Sequence, residues 1–100
     1  MKRMWRLNST ADGNALDLRF GNGVHTLGSG NDSDLRVSHP TVSRRHARIL
    51  KREGTVVVED LGSINGTFIN GKRLAPYLPE ALHDGDQLQL GKLLIEVELS

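Results

Sequence analysis

The sequence predicts an all-β protein, an antiparallel sandwich or barrel assembled from many short strands. Apolar and polar residues alternate with a period of two in several short segments, as in strands that bury one face. Gly, Asn, Asp and Pro residues interrupt these segments roughly every eight to twelve residues, a spacing typical of strands joined by short turns. No long stretch holds the period of about 3.6 residues that a helix requires, so a helical protein is excluded.

The first part of the chain contains three short strand patterns. Residues 15–20 alternate strictly, and the pair Asn22-Gly23 that follows tolerates positive φ, which predicts a tight hairpin turn. Residues 24–27 would form the returning strand. A polar loop over residues 28–34 then leads to a brief strand at residues 35–37.

Two further hairpins are predicted in the middle of the chain. Residues 47–51 and 55–59 are rich in apolar and β-branched side chains and are joined around Gly54. Short strand patterns also flank the pair Asn70-Gly71, which favours another tight turn. We therefore expect the strands of each pair to be neighbours in a sheet.

The last part of the chain combines an irregular segment with a final strand. Residues 74–86 contain Pro76 and Pro79, which discourage both a helix and a central strand. Residues 79–82 could make one helical turn. Residues 93–99 largely alternate apolar and polar positions and predict the closing strand.

Composition describes an ordinary globular protein and excludes several classes. The chain has 100 residues, 25% of them charged and 37% hydrophobic, with a net charge of +1, which suits one domain over residues 1–100. Cysteine is absent, so neither a disulfide framework nor a thiolate metal site is possible. Residues 1–6 carry charge and no apolar run follows them, so we expect no secretory signal, no membrane span and a cytoplasmic protein.

Two polar segments, residues 40–49 and 60–71, are predicted to form one site. Each couples a turn-prone stretch to a strand pattern, and the strand at residues 55–59 between them would bring both to the same end of a sheet. Alternation places Arg45 on the other side of its strand, where we expect it to be solvated. Together the segments present a hydroxyl, guanidinium groups and an amide, which suit a phosphate; they come from Ser43, Arg44, Arg45 and Asn65.

These segments closely resemble the forkhead-associated (FHA) domain family. The match begins with residues 43–47 and 60–71, and it extends to Gly28, to His39-Pro40 and to residues 82–91. All the pieces stand in the family's order and spacing, so the resemblance covers nearly the whole chain. It implies an FHA-like antiparallel β-sandwich of two packed twisted sheets with about ten or eleven short strands, whose loops bind phosphothreonine peptides.

The resemblance also assigns roles to individual residues. In the family a serine and the residue after it contact the phosphate, and an asparagine holds the peptide backbone; these roles carry over to Ser43, Arg44 and Asn65. The expected phosphopeptide-binding set is completed by Ser29, Thr41 and Ile64. Structural support of the site is expected from Gly28, His46, Gly66 and Thr67, the histidine by hydrogen-bonding the loop that carries the phosphate contacts.

Position 29 departs from the family pattern and leaves two functions open. The family places an arginine after the glycine, where it forks onto the phosphate, whereas this chain has Ser29. A hydroxyl brings no charge, so Arg44 or Arg36 would have to compensate. One function is a phosphothreonine-dependent protein–protein interaction module whose partner is marked by a Ser/Thr kinase. The alternative is a docking scaffold of the same fold that binds its partner regardless of phosphorylation.

Other chemistries have weaker support in the sequence. Ser43, His46 or His39, and Asp60 are residue types of a hydrolase triad, but no nucleophile-elbow pattern accompanies them, so no enzyme is expected. The four histidines lie on separate predicted elements without metal-ligand spacing, so neither a metal nor another cofactor is expected. The basic cluster at residues 44–52 lacks stacking aromatic side chains, and neither nucleic acid nor a membrane is expected as a partner.

Overall fold

The computed structural model describes residues 4–9 and 15–99, and these residues form eleven strands and no helix. The domain expected over residues 1–100 therefore has its first three residues and its last residue outside the described residues. The segment at residues 1–6, from which we expect no secretory signal, is described only from residue 4 onward. The strands are β1 (Trp5–Ser9), β2 (Leu16–Phe20), β3 (Gly23–Gly28), β4 (Leu35–Arg36), β5 (Ala47–Arg52), β6 (Thr55–Asp60), β7 (Thr67–Ile69), β8 (Lys72–Arg73), β9 (Glu80–Ala81), β10 (Gln87–Leu90) and β11 (Leu93–Leu99).

Two packed sheets form a sandwich around one core. The first sheet has the strand order β2-β1-β11-β10-β7-β8, and the second has the order β4-β3-β5-β6-β9. Strands with a period of two turn their apolar side chains to the interior, and both sheets contribute to it. The side chains with no solvent exposure include Leu7, Leu88, Leu90, Ile95 and Val97 from the first sheet and Leu27, Ala47, Ile49 and Val58 from the second. The predicted all-β sandwich is confirmed.

Three loops lie together at one end of the strands of the second sheet. The register pairs Leu27 with Ala47 and Ala47 with Asp60, so the end of β3, the start of β5 and the end of β6 lie side by side. The chain leaves the sheet there in the first loop (residues 29–34), the second loop (residues 37–46) and the third loop (residues 61–66). The third loop crosses to β7 in the other sheet. Polar residues that are distant in the sequence come together at this end of the sheet.

Both hairpins predicted in the middle of the chain are confirmed. β5 and β6 pair along their whole length, from Ala47 with Asp60 to Arg52 with Thr55. β7 and β8 pair on either side of Asn70 and Gly71. Those two residues have φ angles of 49° and 84°, the left-handed conformation that asparagine and glycine tolerate best.

The hairpin predicted at Asn22-Gly23 is wrong. β2 pairs with β1 in the first sheet, whereas β3 pairs with β4 and β5 in the second. Gly23 does adopt a positive φ of 120°, so the chain bends where the pair indicates. It uses the bend to cross between the sheets, because turn chemistry marks a change of direction and not the next strand partner.

Other departures concern short strands. Residues Glu80–Ala81 pair with β6 and extend the second sheet, so the helical turn expected at residues 79–82 is wrong. β1 and β10 are strands that the sequence patterns do not predict, since short mixed segments carry little periodicity. β3 and β4 pair in parallel, which makes the second sheet mixed rather than purely antiparallel.

Candidate functional site

His46 ties the second and third loops together from the interior. It lies at the end of the second loop with no solvent exposure. Its Nδ1 accepts the backbone N–H of Ser43 at 3.0 Å, and its Nε2 lies 2.8 Å from the carbonyl oxygen of Gly66. Since a carbonyl can only accept, the proton belongs on Nε2 and the imidazole is neutral. This is the arrangement that a supporting role for His46 requires.

Burial fixes the charge state of that imidazole. Desolvation lowers the pKa of His46 and outweighs the opposing effects of the Gly66 hydrogen bond and of nearby Asp60. A protonated ring would also direct an N–H at the Ser43 N–H, so protonation is incompatible with this link. The link between the two loops therefore depends on a neutral histidine.

Two polar side chains add links between the same loops at the surface. The Ser43 hydroxyl oxygen accepts the backbone N–H of Ile64 at 3.1 Å. The Asn65 side-chain amide donates to the carbonyl oxygen of Thr41 at 3.0 Å. Each group keeps hydrogen-bonding capacity, because the serine still has its proton to donate and the asparagine has a second N–H and a carbonyl oxygen.

Asp60, at the end of β6, organises the base of the third loop. Its carboxylate accepts the hydroxyls of Ser63 and Thr67, both at 2.6 Å, and the backbone N–H groups of Gly62 and Ser63 at 3.0 and 3.2 Å. Burial would raise the pKa of Asp60, but these hydrogen bonds outweigh it and hold the pKa below its usual value. The carboxylate thus stays charged and gathers the loop around itself.

Gly66 and Thr41 connect the site loops to the first sheet. The Gly66 carbonyl accepts the N–H of Gly91 at 2.9 Å, and Gly66 has a φ of 90°, a conformation that disfavours any side chain. The Thr41 hydroxyl accepts the backbone N–H of Lys92 at 2.8 Å. The turn between β10 and β11 therefore donates a hydrogen bond to each of the second and third loops and holds both against the first sheet.

The first loop presses directly against the second. A Cβ on Gly28 would lie 1.9 Å from the Arg44 carbonyl oxygen, so the approach requires glycine at this position. The Ser29 N–H donates to the Ser43 carbonyl at 3.0 Å, and the Ser29 hydroxyl donates to the Val42 carbonyl at 2.9 Å. The Ser29 hydroxyl, which is expected to contact the phosphate, therefore donates its hydrogen bond to a carbonyl group of the same chain.

A cavity of about 610 Å³ opens beside this junction and carries a cluster of cations. Its lining consists of Ser29, Gly30, Asn31, Asp32, Arg36, Arg44 and Arg45. Arg36 projects from β4 and donates from Nε to the Ser29 carbonyl oxygen at 3.2 Å. Arg45 borders the cavity from the second loop, before β5 begins, so its expected position on a strand is wrong, whereas its expected exposure to solvent is confirmed.

The residues expected in the site fall into two adjoining groups. Thr41, Ser43, Ile64 and Asn65 join the second and third loops, with Ile64 84% exposed. Ser29 and Arg44 border the arginine-lined cavity instead, together with Arg36 and Arg45. Sequence patterns place Arg36 on a strand face, but only the pairing of β4 with β3 shows that this face belongs to the site.

Around His46 the geometry does not assemble a hydrolase triad. His46 meets the backbone N–H of Ser43, not its hydroxyl, and its other nitrogen meets Gly66 instead of Asp60. Among residues 4–9 and 15–99, no three His, Asp or Glu side chains are grouped closely enough to hold a metal ion. In the same residues no helix is long and apolar enough to cross a membrane.

Comparison with known proteins connects this arrangement to a family. The model of the family described as the FHA domain matches residues 25–91. The chain is 42% identical over 67 residues to an oxoglutarate dehydrogenase inhibitor of Corynebacterium diphtheriae, a match that covers 67% of this chain and 45% of that protein. The chain thus spans less than half the length of that relative.

Solved structures agree with that match. One is an FHA domain from a structural and functional analysis of phosphothreonine-dependent FHA domain interactions, with a TM-score of 0.81, 30% identity and 97% of both chains covered. Another is the FhaA FHA domain complexed with the intracellular domain of Rv3910, with a TM-score of 0.80 and 30% identity over 97% of this chain and 100% of that one. The residues that the family model matches, 25–91, include all three site loops.

Proposed function

The chain belongs to the FHA domain family, a family of interaction modules, and on that premise we propose that it binds phosphothreonine segments of a partner protein. The phosphate lies at Ser43 and Arg44, and Asn65 holds the peptide backbone. Ile64 and Thr41 line the approach. The module is non-catalytic, forms one domain over residues 1–100, and acts in the cytoplasm on a partner marked by a Ser/Thr kinase.

The preorganised Ser43 hydroxyl is the observation that carries this proposal. Its oxygen accepts from Ile64 and its backbone N–H is held by His46, so the second loop is fixed before any ligand arrives. The hydroxyl proton has no acceptor among the described residues and is left for a phosphate oxygen. Groups held in place in advance bind with a smaller loss of conformational entropy.

Charge around the site supports an anionic ligand. Three arginines and one aspartate border the cavity beside Ser29, a formal charge of +2, on a chain whose net charge is only +1. Among the described residues no carboxylate lies at ion-pair distance from these arginines. Guanidinium groups without an internal partner are suited to a phosphate from outside.

Specificity for threonine and for the neighbouring peptide residues comes from the surroundings of the phosphate. Burying the threonine methyl group is worth about 0.8 kcal/mol relative to serine, or roughly four-fold in affinity. The first loop and residues 39–41 lie beside Ser43 and are placed to contact side chains that flank the phosphothreonine. Exposed Asn31 offers a polar contact there.

The alternative function is a scaffold of the same fold whose binding ignores phosphorylation. Two observations favour it: residue 29 is a serine, and its hydroxyl donates to Val42 and not outward. The Ser29 hydroxyl proton is therefore already engaged within the chain and is not directed toward a phosphate. On this alternative the partner would bind through exposed groups such as Ile64, which is 84% accessible.

A titration separates the two functions. An isotope-labelled sample is titrated with a phosphothreonine peptide library and, separately, with the same peptides unphosphorylated. We expect chemical-shift changes at Ser43, Arg44 and Asn65 with the phosphorylated library only, and weaker binding of phosphoserine peptides. Equal shifts with both libraries would establish the scaffold instead.

A further inference from the structure

A phosphate at Ser43 needs a cation held beside it, and residue 29 does not provide one. Hydrogen bonds from an ionised donor are roughly twice as strong as neutral ones, and a guanidinium group can offer two in parallel. Three such groups border the cavity next to Ser29, namely Arg36, Arg44 and Arg45. They differ in how firmly the fold holds them.

The pairing of two strands brings Arg36 to the site. In the parallel register of β3 and β4, Arg36 lies opposite Gly28, the residue before Ser29. Its neighbours Leu35 and Val37 are 9% and 1% exposed, so alternation turns the Arg36 side chain outward. That outward position is in the wall of the cavity.

A hydrogen bond then fixes the guanidinium group. Arg36 Nε donates to the Ser29 carbonyl at 3.2 Å, and the N–H of Ser29 donates to the Ser43 carbonyl at 3.0 Å. One residue therefore links Arg36 to the serine expected to bind the phosphate. Nε is one of five guanidinium N–H donors, so the terminal amino groups remain for a ligand.

Arg44 and Arg45 lack such an anchor. All three arginines are exposed, but within residues 4–9 and 15–99 neither the Arg44 nor the Arg45 side chain has a hydrogen bond or an ion pair. Ordering a long, free side chain upon binding costs conformational entropy that an anchored side chain has already lost. Of the three arginines, Arg36 is thus the one prepared for a ligand.

We propose that Arg36 acts from β4 in place of an arginine at position 29 and binds the phosphate together with Arg44. Ser29 is a positioning residue, since its hydroxyl holds Val42 and its carbonyl holds Arg36. This inference rests on the proposed function and names the residue that supplies the charge.

The test uses a phosphothreonine peptide selected from the library and containing no Asp or Glu, so that the phosphate is its only anionic side chain. Arg36→Ala should weaken its binding by roughly ten- to a hundred-fold, the loss expected for hydrogen bonds to a charged group, and should reduce the salt dependence of binding. Arg36→Lys keeps the charge without the planar fork and should recover only part of the affinity.

Arg45→Ala is the matched control. It removes the same charge from the same cavity, and we expect a loss of less than about three-fold because its side chain is not anchored. Ser29→Arg provides the converse test. It should restore much of the affinity in the Arg36→Ala background, where the place is empty, and should add little to the natural chain, where Arg36 already fills it.

The outcomes separate this inference from the proposed function. If the natural chain prefers the phosphorylated peptide and Arg36→Ala binds it equally well, the role of Arg36 is refuted and the proposed function stands. Equal losses for Arg36→Ala and Arg45→Ala also refute it, because general charge would then suffice. If the natural chain binds both peptide forms alike, the proposed function fails and the inference fails with it. Melting curves identify any variant that fails to fold. If Arg36→Ala fails to fold, the affinity of Arg36→Lys decides whether Arg36 binds the phosphate.

Discussion

The loop pair around His46 and the arginine-lined cavity lie side by side, but they are built in opposite ways. In the loop pair the chain satisfies its buried polar groups internally, through His46 and through the four hydrogen bonds that Asp60 accepts. In the cavity three guanidinium groups face outward, and only Arg36 has a backbone partner among the described residues. The loop pair therefore supplies the fixed shape of the site, and the cavity supplies its positive charge. Substitutions can test the two contributions independently.

The largest effect on folding is expected at Asp60. Asp60→Ala should lower the free energy of unfolding by at least about 3 kcal/mol, because it strands the buried Thr67 hydroxyl and two backbone N–H groups. Urea unfolding measures the change. Asp60→Asn, which keeps the size and some of the hydrogen bonds, should lose less. A loss below about 1 kcal/mol for Asp60→Ala would show that the loop does not depend on this carboxylate.

His46→Ala should follow, with a loss of roughly 2–4 kcal/mol, because it leaves the Ser43 N–H without its acceptor, removes one of the two hydrogen bonds that the Gly66 carbonyl accepts, and opens a cavity in a fully buried position. Peptide binding should weaken as well, since the two loops lose their internal link. His83→Ala is the control: that side chain is 75% exposed, and its removal should change stability by less than about 0.5 kcal/mol. Similar losses for the two variants would contradict the special place of His46.

Acidification should weaken the loop pair before the rest of the domain. Because burial lowers the pKa of His46, the unfolded chain binds that proton more tightly than the folded chain does. The contribution of His46 is complete above its ordinary pKa of 6.5 and is lost as the pH falls through the lower folded pKa, by at most about 1.4 kcal/mol per pH unit. His46→Gln should flatten this part of a stability profile measured between pH 7.5 and 5. An unchanged profile would assign the loss to another group.

The smallest effect on folding is expected in the cavity. Arg44→Ala should change the free energy of unfolding by less than about 0.5 kcal/mol, because the exposed side chain has no partner among the described residues. The same variant should still weaken phosphopeptide binding. A stability loss above about 1 kcal/mol in urea would mean that the arginines also hold the fold, and the division between the two regions would fail.

Local sequence patterns predict much of this fold and miss its pairings. Turn chemistry locates the bend at Gly23 and the turn at Asn70 and Gly71. It cannot tell that β2 and β3 belong to different sheets, because that choice depends on which apolar faces meet in the core. The strand at Glu80–Ala81 is invisible for the same reason: it exists because β6 offers it a partner.

The residues of the candidate site likewise divide into those that local sequence patterns predict and those whose place depends on strand pairing. Ser43, His46 and Asn65 are visible in the sequence as polar residues of two turn-prone segments, and the sheet register brings those segments together. Arg36 is visible only as an outward residue on a short strand. Its neighbourhood with Ser29 follows from a parallel pairing and one hydrogen bond, which no periodicity encodes.

Ser43 lies where the two regions meet, and its substitution tests the proposed site most directly. The measurement is the affinity of the natural chain and of Ser43→Ala for one phosphothreonine peptide, with the free energy of unfolding determined on the same samples. We expect affinity to fall by roughly ten- to a hundred-fold, as for a lost hydrogen bond to a charged group. Stability should change by less than about 1.5 kcal/mol, since the Ile64 N–H that loses its acceptor lies at the surface. Equal affinities for the two proteins would contradict a phosphate at Ser43.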